Sequence, residues 1–316
     1  MRTPQASGGA GESCGELQNR GNKREQEEPD MSSVSDGRRT RLLALQRLAI
    51  ETGRRDFDAR YPDLAFTPVV ALICAYEEED NLGAVLARIP EKACGLAVTP
   101  LVVVDGGDDA TDEVALKAGA VTFVFPTNLG HGVALRVGYD LCVRGGARYV
   151  VTLDADGQND PAEMETMLQP LVDDEADFVV ASRRLGVDET ADGYRKLGVR
   201  WFSWLMNLLM GSKLTDTSNG YRALRASMLS DVAPRLEQDQ YQTAELLITA
   251  MSRGWRVTER PTVWHERTSG QSKKGSNLLY GFRYASVILR TWRRERAFGG
   301  GLGIGLARGR GFSARG

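Results

Sequence analysis

Tyr149-Val150-Val151-Thr152-Leu153-Asp154-Ala155-Asp156-Gly157-Gln158-Asn159-Asp160-Pro161 decides how this chain is read. The first half is apolar and β-branched, the pattern of a central parallel strand buried on both faces. The second half turns polar with no spacer. Asp154 and Asp156 therefore fall at the strand's carboxyl end, the edge where open α/β sheets bind ligands. Two carboxylates one residue apart, with the amide oxygen of Gln158, offer hard oxygen ligands on one rim. That set suits Mg2+ or Mn2+ and leaves most of the shell to water and substrate phosphates. A cation held there can stabilise a departing diphosphate. The plain alternative is a solvated Asp-x-Asp loop. An EF-hand would use Asp154, Asp156 and Glu165 at its first, third and twelfth positions, but Asn159 stands where the turn needs Gly, and a strand precedes the loop.

Working outward, Pro68 precedes a buried strand, Val69 to Cys74, and Leu82, Val85, Leu86 and Ile89 give Glu78 to Ile89 a helical period. Leu101 to Val104 is a second strand, stopped by Asp105-Gly106-Gly107-Asp108-Asp109. A helix over Thr111 to Ala118, a strand over Val121 to Phe125 and a helix over His131 to Arg144 follow. This alternation predicts an α/β fold with a mostly parallel sheet covered on both faces. Beyond Pro161 the pattern predicts a helix to about Val172, a strand over Asp177 to Ala181, a helix over Glu245 to Ser252 and a strand over Trp255 to Val263. Arg200 to Met210 is a dense apolar helix, either buried or interfacial. From Asn277 to Arg296, Leu278, Phe282, Ala285, Leu289 and Trp292 fall on one helical stripe, with Arg283, Arg290, Arg293, Arg294 and Arg296 supplying charge. Arg39 to Asp56 reads as a further helix. Residues 1–38 read as a disordered leader and 299–316 as a Gly/Arg-rich disordered tail. The expected domain is 39–298, with a nucleotide-sugar and metal half at 68–182 and an acceptor half at 183–298.

The 316 residues suffice for one large α/β domain with additions, or two small ones. Acidic residues number 42 against 40 basic, a balance that argues against nucleic-acid binding. Cys14, Cys74, Cys94 and Cys142 form no Cys-x-x-Cys pair and there are 2 histidines, which argues against structural zinc. Reduced thiols in the cytoplasm are the expectation. No signal-peptide pattern and no membrane-length apolar run is visible. Gly130-His131-Gly132 opens like a dinucleotide fingerprint, but the third Gly is absent at the required spacing.

Three of the strands end in acids: the first at Ala75-Tyr76-Glu77-Glu78-Glu79-Asp80-Asn81, the second at Asp105-Gly106-Gly107-Asp108-Asp109, the fourth at Asp154-Ala155-Asp156. Single clusters of this kind are usually helix starts. Three on one edge can bind a nucleotide, with Tyr76, Glu78 and Asp105 for base and ribose and Asp154 and Asp156 for the diphosphate's metal.

In these motifs the chain resembles the family 2 glycosyltransferases of the GT-A fold, and among them the dolichyl- and polyprenyl-phosphate sugar synthases, over roughly residues 68 to 296. The first loop resembles Pro-Ala-Tyr-Asn-Glu, with Tyr76 and Glu78 at its nucleotide contacts; Asp105 matches the aspartate that reads the base. Asn128-Leu129-Gly130-His131-Gly132 resembles the Asn-x-Gly-Lys-Gly turn, and Asp154-Ala155-Asp156-Gly157-Gln158 the metal motif, which puts Ala155 beside the nucleotide. Asp216-Thr217-Ser218-Asn219-Gly220-Tyr221-Arg222 resembles the acceptor-side segment, and Glu245 matches a family acid. Arg267-Thr268-Ser269-Gly270-Gln271-Ser272-Lys273 resembles the loop that closes over the diphosphate. Cys74 stands for the usual Pro, Asp105-Gly106-Gly107 for Asp-Asp-Gly, His131 for Lys and Asn159 for the frequent His.

The resemblance implies inverting transfer from a nucleoside-diphosphate sugar, UDP- or GDP-linked, with Mg2+ or Mn2+ on Asp156 and Gln158, and with Arg267 and Lys273 adding positive charge from a closing loop. A hydroxyl acceptor needs a base, and Asp216 or Glu245 would serve. A polyprenyl phosphate is already anionic and needs a basic pocket, which Arg183, Arg184, Arg195 and Arg222 could form. The basic stripe at 277–296 and the apolar Arg200–Met210 segment favour the lipid, with peripheral contact at the inner face of the cell membrane. Transfer to a soluble hydroxyl, and a nucleotide-sugar-binding protein without turnover, are the alternatives. A homo-oligomer is compatible with all three.

Overall fold

A computed structural model describes residues 31–190, 193–266 and 277–298 of the chain. Two compact units divide at Ala44/Leu45. Of the first, the described part is the opening of one helix, α1 (Met31–Arg60); all that follows belongs to the second. The expected helix over Arg39 to Asp56 is thus longer at both ends.

The elements that follow are β1 (Val69–Ala75), α2 (Glu79–Ala87), β2 (Lys92–Ala93), β3 (Leu96–Val104), α3 (Thr111–Lys117), β4 (Val121–Val124), α4 (His131–Arg144) and β5 (Tyr149–Asp154). Then come α5 (Met164–Val172), β6 (Phe178–Asp188), α6 (Gly193–Met210), β7 (Arg222–Arg225), α7 (Ala226–Val232), α8 (Gln242–Ser252), β8 (Val257–Trp264) and α9 (Asn277–Phe298). The main sheet runs β4-β3-β1-β5-β7-β6-β8, with β2 as a short hairpin arm on β3. Every neighbouring pair on the β4-to-β5 side is parallel, while β7 runs antiparallel to both β5 and β6. The sequence reading missed β2, β7 and α7. Arg222-Ala223-Leu224-Arg225 carries a charge at each end, so its four residues show no apolar run, and their partner strands alone make them a strand.

Alternation along β1 feeds two cores. Val70, Leu72 and Cys74 pack with Val133, Val137 and Leu141 of α4, while Val69, Ala71, Ile73 and Ala75 pack with Leu82 of α2 and Met167 of α5. This is the two-sided burial that a continuous apolar run requires.

The C-terminal helices differ from expectation in a consequential way. On α9 the buried face is Tyr284, Val287, Ile288 and Thr291, so the expected stripe is split. Phe282 is 75% exposed, whereas Trp292 is half-buried and its indole donates to the Leu209 carbonyl at 3.0 Å. The unpartnered apolar stripe lies instead on α6, where Leu197, Trp201, Trp204 and Leu208 are all exposed. Their spacing of four, three and four residues is one helical face. The opposite face of α6 packs inward through Phe202, Leu205, Met206 and Leu209, with Phe202 against Tyr284 of α9 at 4.5 Å between ring centroids. Among the described residues no helix is long and apolar enough to cross a membrane.

Candidate active site

β3, β1 and β5 are adjacent and parallel, and their ends are level: Ala75 pairs with Val104, and Cys74 with Asp154. The three acid clusters therefore meet on one rim, as their positions in sequence implied.

Asp105 follows β3 directly and is buried. Its two oxygens accept from the backbone amides of Leu129 at 2.8 Å and Gly130 at 2.9 Å. The expected base-reading aspartate thus also fixes the turn before α4. Burial pushes its carboxyl up to about 6, against the pull of those two bonds. A raised carboxyl penalises the folded state above that value and not below the ordinary 3.8. Asp105→Asn should therefore stabilise the ligand-free protein by about 1–2 kcal/mol near pH 8, the relieved charge outweighing one lost amide bond. The gain should vanish as pH falls through 6 towards 4. Thermal melts of both proteins across that range check the sign.

In the first loop Glu77 has φ +51°, and Glu78 accepts from the Asn81 amide at 2.7 Å while its own N–H donates to the Thr111 hydroxyl at 2.9 Å. Tyr76 is half-buried, and its hydroxyl is pushed up by its bond to Glu77. Both expected nucleotide contacts thus stand on a loop tied to α2 and α3.

The metal loop is folded by its own side chains. Asp156 Oδ1 accepts from the Gln158 amide at 3.1 Å, and Asn159 Oδ1 accepts from the Asp154 amide at 3.3 Å. Ala155 is buried in the core. Gln158 is clamped by the end of β8: its carbonyl accepts from His265 N at 3.0 Å, and its Nε2 donates to the His265 carbonyl at 3.2 Å. That bond orients the amide and leaves Oε1 as the end that could meet a cation. The carboxylate of Asp154 is half-buried and receives no hydrogen bond among the described residues. A Cβ on residue 220 would lie 2.9 Å from Asp154 Oδ1, so Gly220 is what lets that carboxylate sit where it does. Among the described residues no three His, Cys, Asp or Glu side chains form a metal cluster by themselves. Two carboxylates and one amide oxygen nevertheless fit a hard cation that keeps substrate and water ligands.

Beside Asp154 lies a small cavity lined by His131, Tyr139, Thr152, Gly220, Arg222 and Thr243. The expected basic pocket is not built as a set of free cations. Arg183 is buried and forked onto Asp216, Nε to Oδ2 at 2.6 Å and Nη2 to Oδ1 at 2.9 Å, with Trp264 stacked at 4.8 Å. Burial pushes the Asp216 carboxyl up, and Arg183 more than cancels it, holding the group below the usual carboxylate range. Arg222 is buried and donates to the carbonyls of Asn219, Thr243 and Thr217. It thereby bridges the segments that carry Asp216 and Glu245. Arg184 is exposed and Arg195 stands on α6. Glu245 is fully buried, accepts from the amides of Glu237 and Gln238, and pairs with Arg294 at 2.7 Å. Arg267, Ser272 and Lys273 lie outside the described residues.

The sequence reading missed Glu259, whose carboxylate on β8 receives the amides of Thr215 and Asp216, both at 2.8 Å, and so aims Asp216 at Arg183. A lone glutamate in a strand carries no signal for that. It also missed Gly220 as a steric requirement, although the Asn-Gly pair was legible.

The sequence profile of glycosyl transferase family 2 matches residues 70–233. The chain belongs to glycosyl transferase family 2. Within this family it is 32% identical over 211 residues to the dolichyl-phosphate hexose transferase of Haloferax volcanii, covering 67% of this chain and 88% of that one. It is 30% identical over 231 residues to the polyprenol monophosphomannose synthase of Mycolicibacterium smegmatis, covering 66% and 82%. The family 2 fold also matches the crystal structure of glucosyl-3-phosphoglycerate synthase from Mycobacterium tuberculosis in complex with Mn2+, UDP and glucosyl-3-phosphoglycerate, with TM-score 0.57 and 16% identity over 75% of this chain and 83% of that one. The architecture is thus GT-A, and the protein is a family 2 glycosyltransferase that resembles the polyprenyl-phosphate sugar synthases.

Proposed function

We propose that this glycosyltransferase moves a sugar, with inversion, from a UDP- or GDP-linked donor to a polyprenyl phosphate, using Mg2+ or Mn2+ held by Asp154, Asp156 and Gln158. The observation that carries the metal assignment is the Asp154 carboxylate, which lacks a hydrogen-bond donor among the described residues and rests against Gly220. A cation bound there would supply positive charge to the leaving diphosphate. Tyr76, Glu78 and Asp105 hold base and ribose, and Arg267, Ser272 and Lys273 close over the phosphates. The names of the relatives support the lipid acceptor. So does the state of the two candidate bases. Asp216 is committed to Arg183, and Glu245 to Arg294 and two backbone amides. A lipid phosphate reaches the anomeric carbon already anionic and needs neither. Thermal shift with UDP- and GDP-sugars tests the donor: stabilisation should require Mn2+ or Mg2+, since only a ligand of the native state raises the melting temperature. Equal shifts with EDTA would overturn the metal assignment.

The exposed α6 stripe supports peripheral membrane contact, with Trp201 and Trp204 suited to the head-group region. Arg200 on α6 and Arg283, Arg290 and Arg293 on α9 are exposed too, and each is worth roughly 1 kcal/mol near an anionic surface. Trp201→Asp with Trp204→Asp should lower binding to phosphatidylserine vesicles at least about tenfold, and added salt should weaken the native protein's binding. Unchanged sedimentation by the double variant would show that this face does not meet lipid.

A further inference from the structure

A continuous hydrogen-bonded path joins the C-terminal helix to the donor rim. Arg294 of α9 donates to Glu245 of α8 at 2.7 Å, and also meets Glu237 at 3.3 Å and Thr249 at 3.3 Å. The Glu245 carboxylate accepts from Glu237 N at 3.0 Å and Gln238 N at 2.9 Å. The segment so held grips the first turn of α4. Gly132 N donates to the Asp239 carbonyl at 2.8 Å, while Arg136 reaches the Gln238 carbonyl at 2.7 Å and Asp239 Oδ1 at 2.8 Å. Gln242 Nε2 donates to the Gly132 carbonyl at 2.9 Å. A Cβ on residue 132 would stand 2.3 Å from the Gln238 carbonyl, so glycine permits this contact. Two and three residues earlier, Gly130 and Leu129 deliver their amides to Asp105.

We propose that Glu245 is a positioning residue: it ties the seating of α9 to the Asn128–Gly132 turn, so that donor affinity depends on where the C-terminal helix sits. This rests on the reading of the rim as the donor site. The carboxylate suits the task, because a buried anion with an arginine on one side and two amides on the other has no lone pair directed at the rim. A base at this position would need an oxygen facing the acceptor.

The test compares the full-length native chain with Glu245→Gln, Arg294→Met and the double variant. Either single change should speed amide exchange at 130–134 by about tenfold, because the turn loses its anchor and opens locally. Binding of UDP or GDP with Mn2+ should weaken by about the same factor, and the KM for donor should rise while kcat changes less than about threefold. The double variant removes both charges of the Arg294–Glu245 pair and should recover most of both losses, since glutamine still accepts from the amides. Should a single variant fail to fold, Arg294→Lys, with one ammonium in place of the fork, is read in the same exchange assay with the same expectation. Unchanged exchange at 130–134 in Arg294→Met or Arg294→Lys would overturn the coupling. So would a Glu245→Gln variant that loses kcat at every pH with donor KM intact and no recovery in the double variant, the mark of a base. Exchange needs no substrate, so failure to transfer sugar from any donor would refute the proposed activity and leave this result readable.

Discussion

Asp156→Ala should abolish sugar transfer, by at least about a thousandfold, and remove metal-dependent nucleotide binding while the fold persists. The side chain is half-buried at the rim, outside both cores, and accepts the Gln158 amide within its own loop. Losing a hydrogen bond at a half-buried loop position costs about 1 kcal/mol, too little to unfold a domain of this size. The catalytic loss should be large because the cation that would offset charge developing on the diphosphate would lose one of its two carboxylate ligands. A melting temperature within a few degrees of native, with kcat/KM lost, is the expected pair of readings. Retained activity in EDTA would remove Asp156 from the metal.

Asp216→Ala should have the largest effect on stability. It leaves the Arg183 guanidinium buried with its carboxylate partner gone, a change that costs about 3–5 kcal/mol. For a chain of this length that lowers the melting temperature by roughly 10 °C. Because the Asp216 carboxyl lies below the usual range, its contribution is present above the unfolded value of 3.8 and is lost only as pH falls beneath it. The gap between native and variant should therefore be constant from pH 5 to pH 8, as melts at several pH values within that window would show. Replacing Arg183 and Asp216 together with apolar residues of similar volume should recover most of the loss. A stable Asp216→Ala protein with turnover lost would instead restore Asp216 as a base.

The donor side of the fold was legible because its signals are local. Val69 to Cys74, Leu101 to Val104 and Tyr149 to Leu153 are continuous apolar runs that stop at acids, and parallel pairing brings those stops level. The acceptor side was legible only as motifs. Arg183 and Arg222 read as cations for a phosphate, yet Arg183 is taken by Asp216, 33 residues on, and Arg222 by the Thr243 carbonyl, 21 residues on, as well as by the nearby carbonyls of 217 and 219, and no apolar period relates these positions. Trp201 and Trp204 lay inside an apolar run that could be core or surface. The inward packing of Phe202, Leu205, Met206 and Leu209, with Phe202 against Tyr284, fixes which face of α6 turns outward.

The most direct measurement incubates the purified chain with labelled UDP- and GDP-sugars, Mn2+ and a short polyprenyl phosphate, and follows label into the organic phase. The account predicts a lipid-phosphate sugar formed from one donor class, of inverted anomeric configuration, and lost with EDTA or Asp156→Ala. Label appearing only in a water-soluble glycoside, or a lipid product formed equally in EDTA, would contradict it.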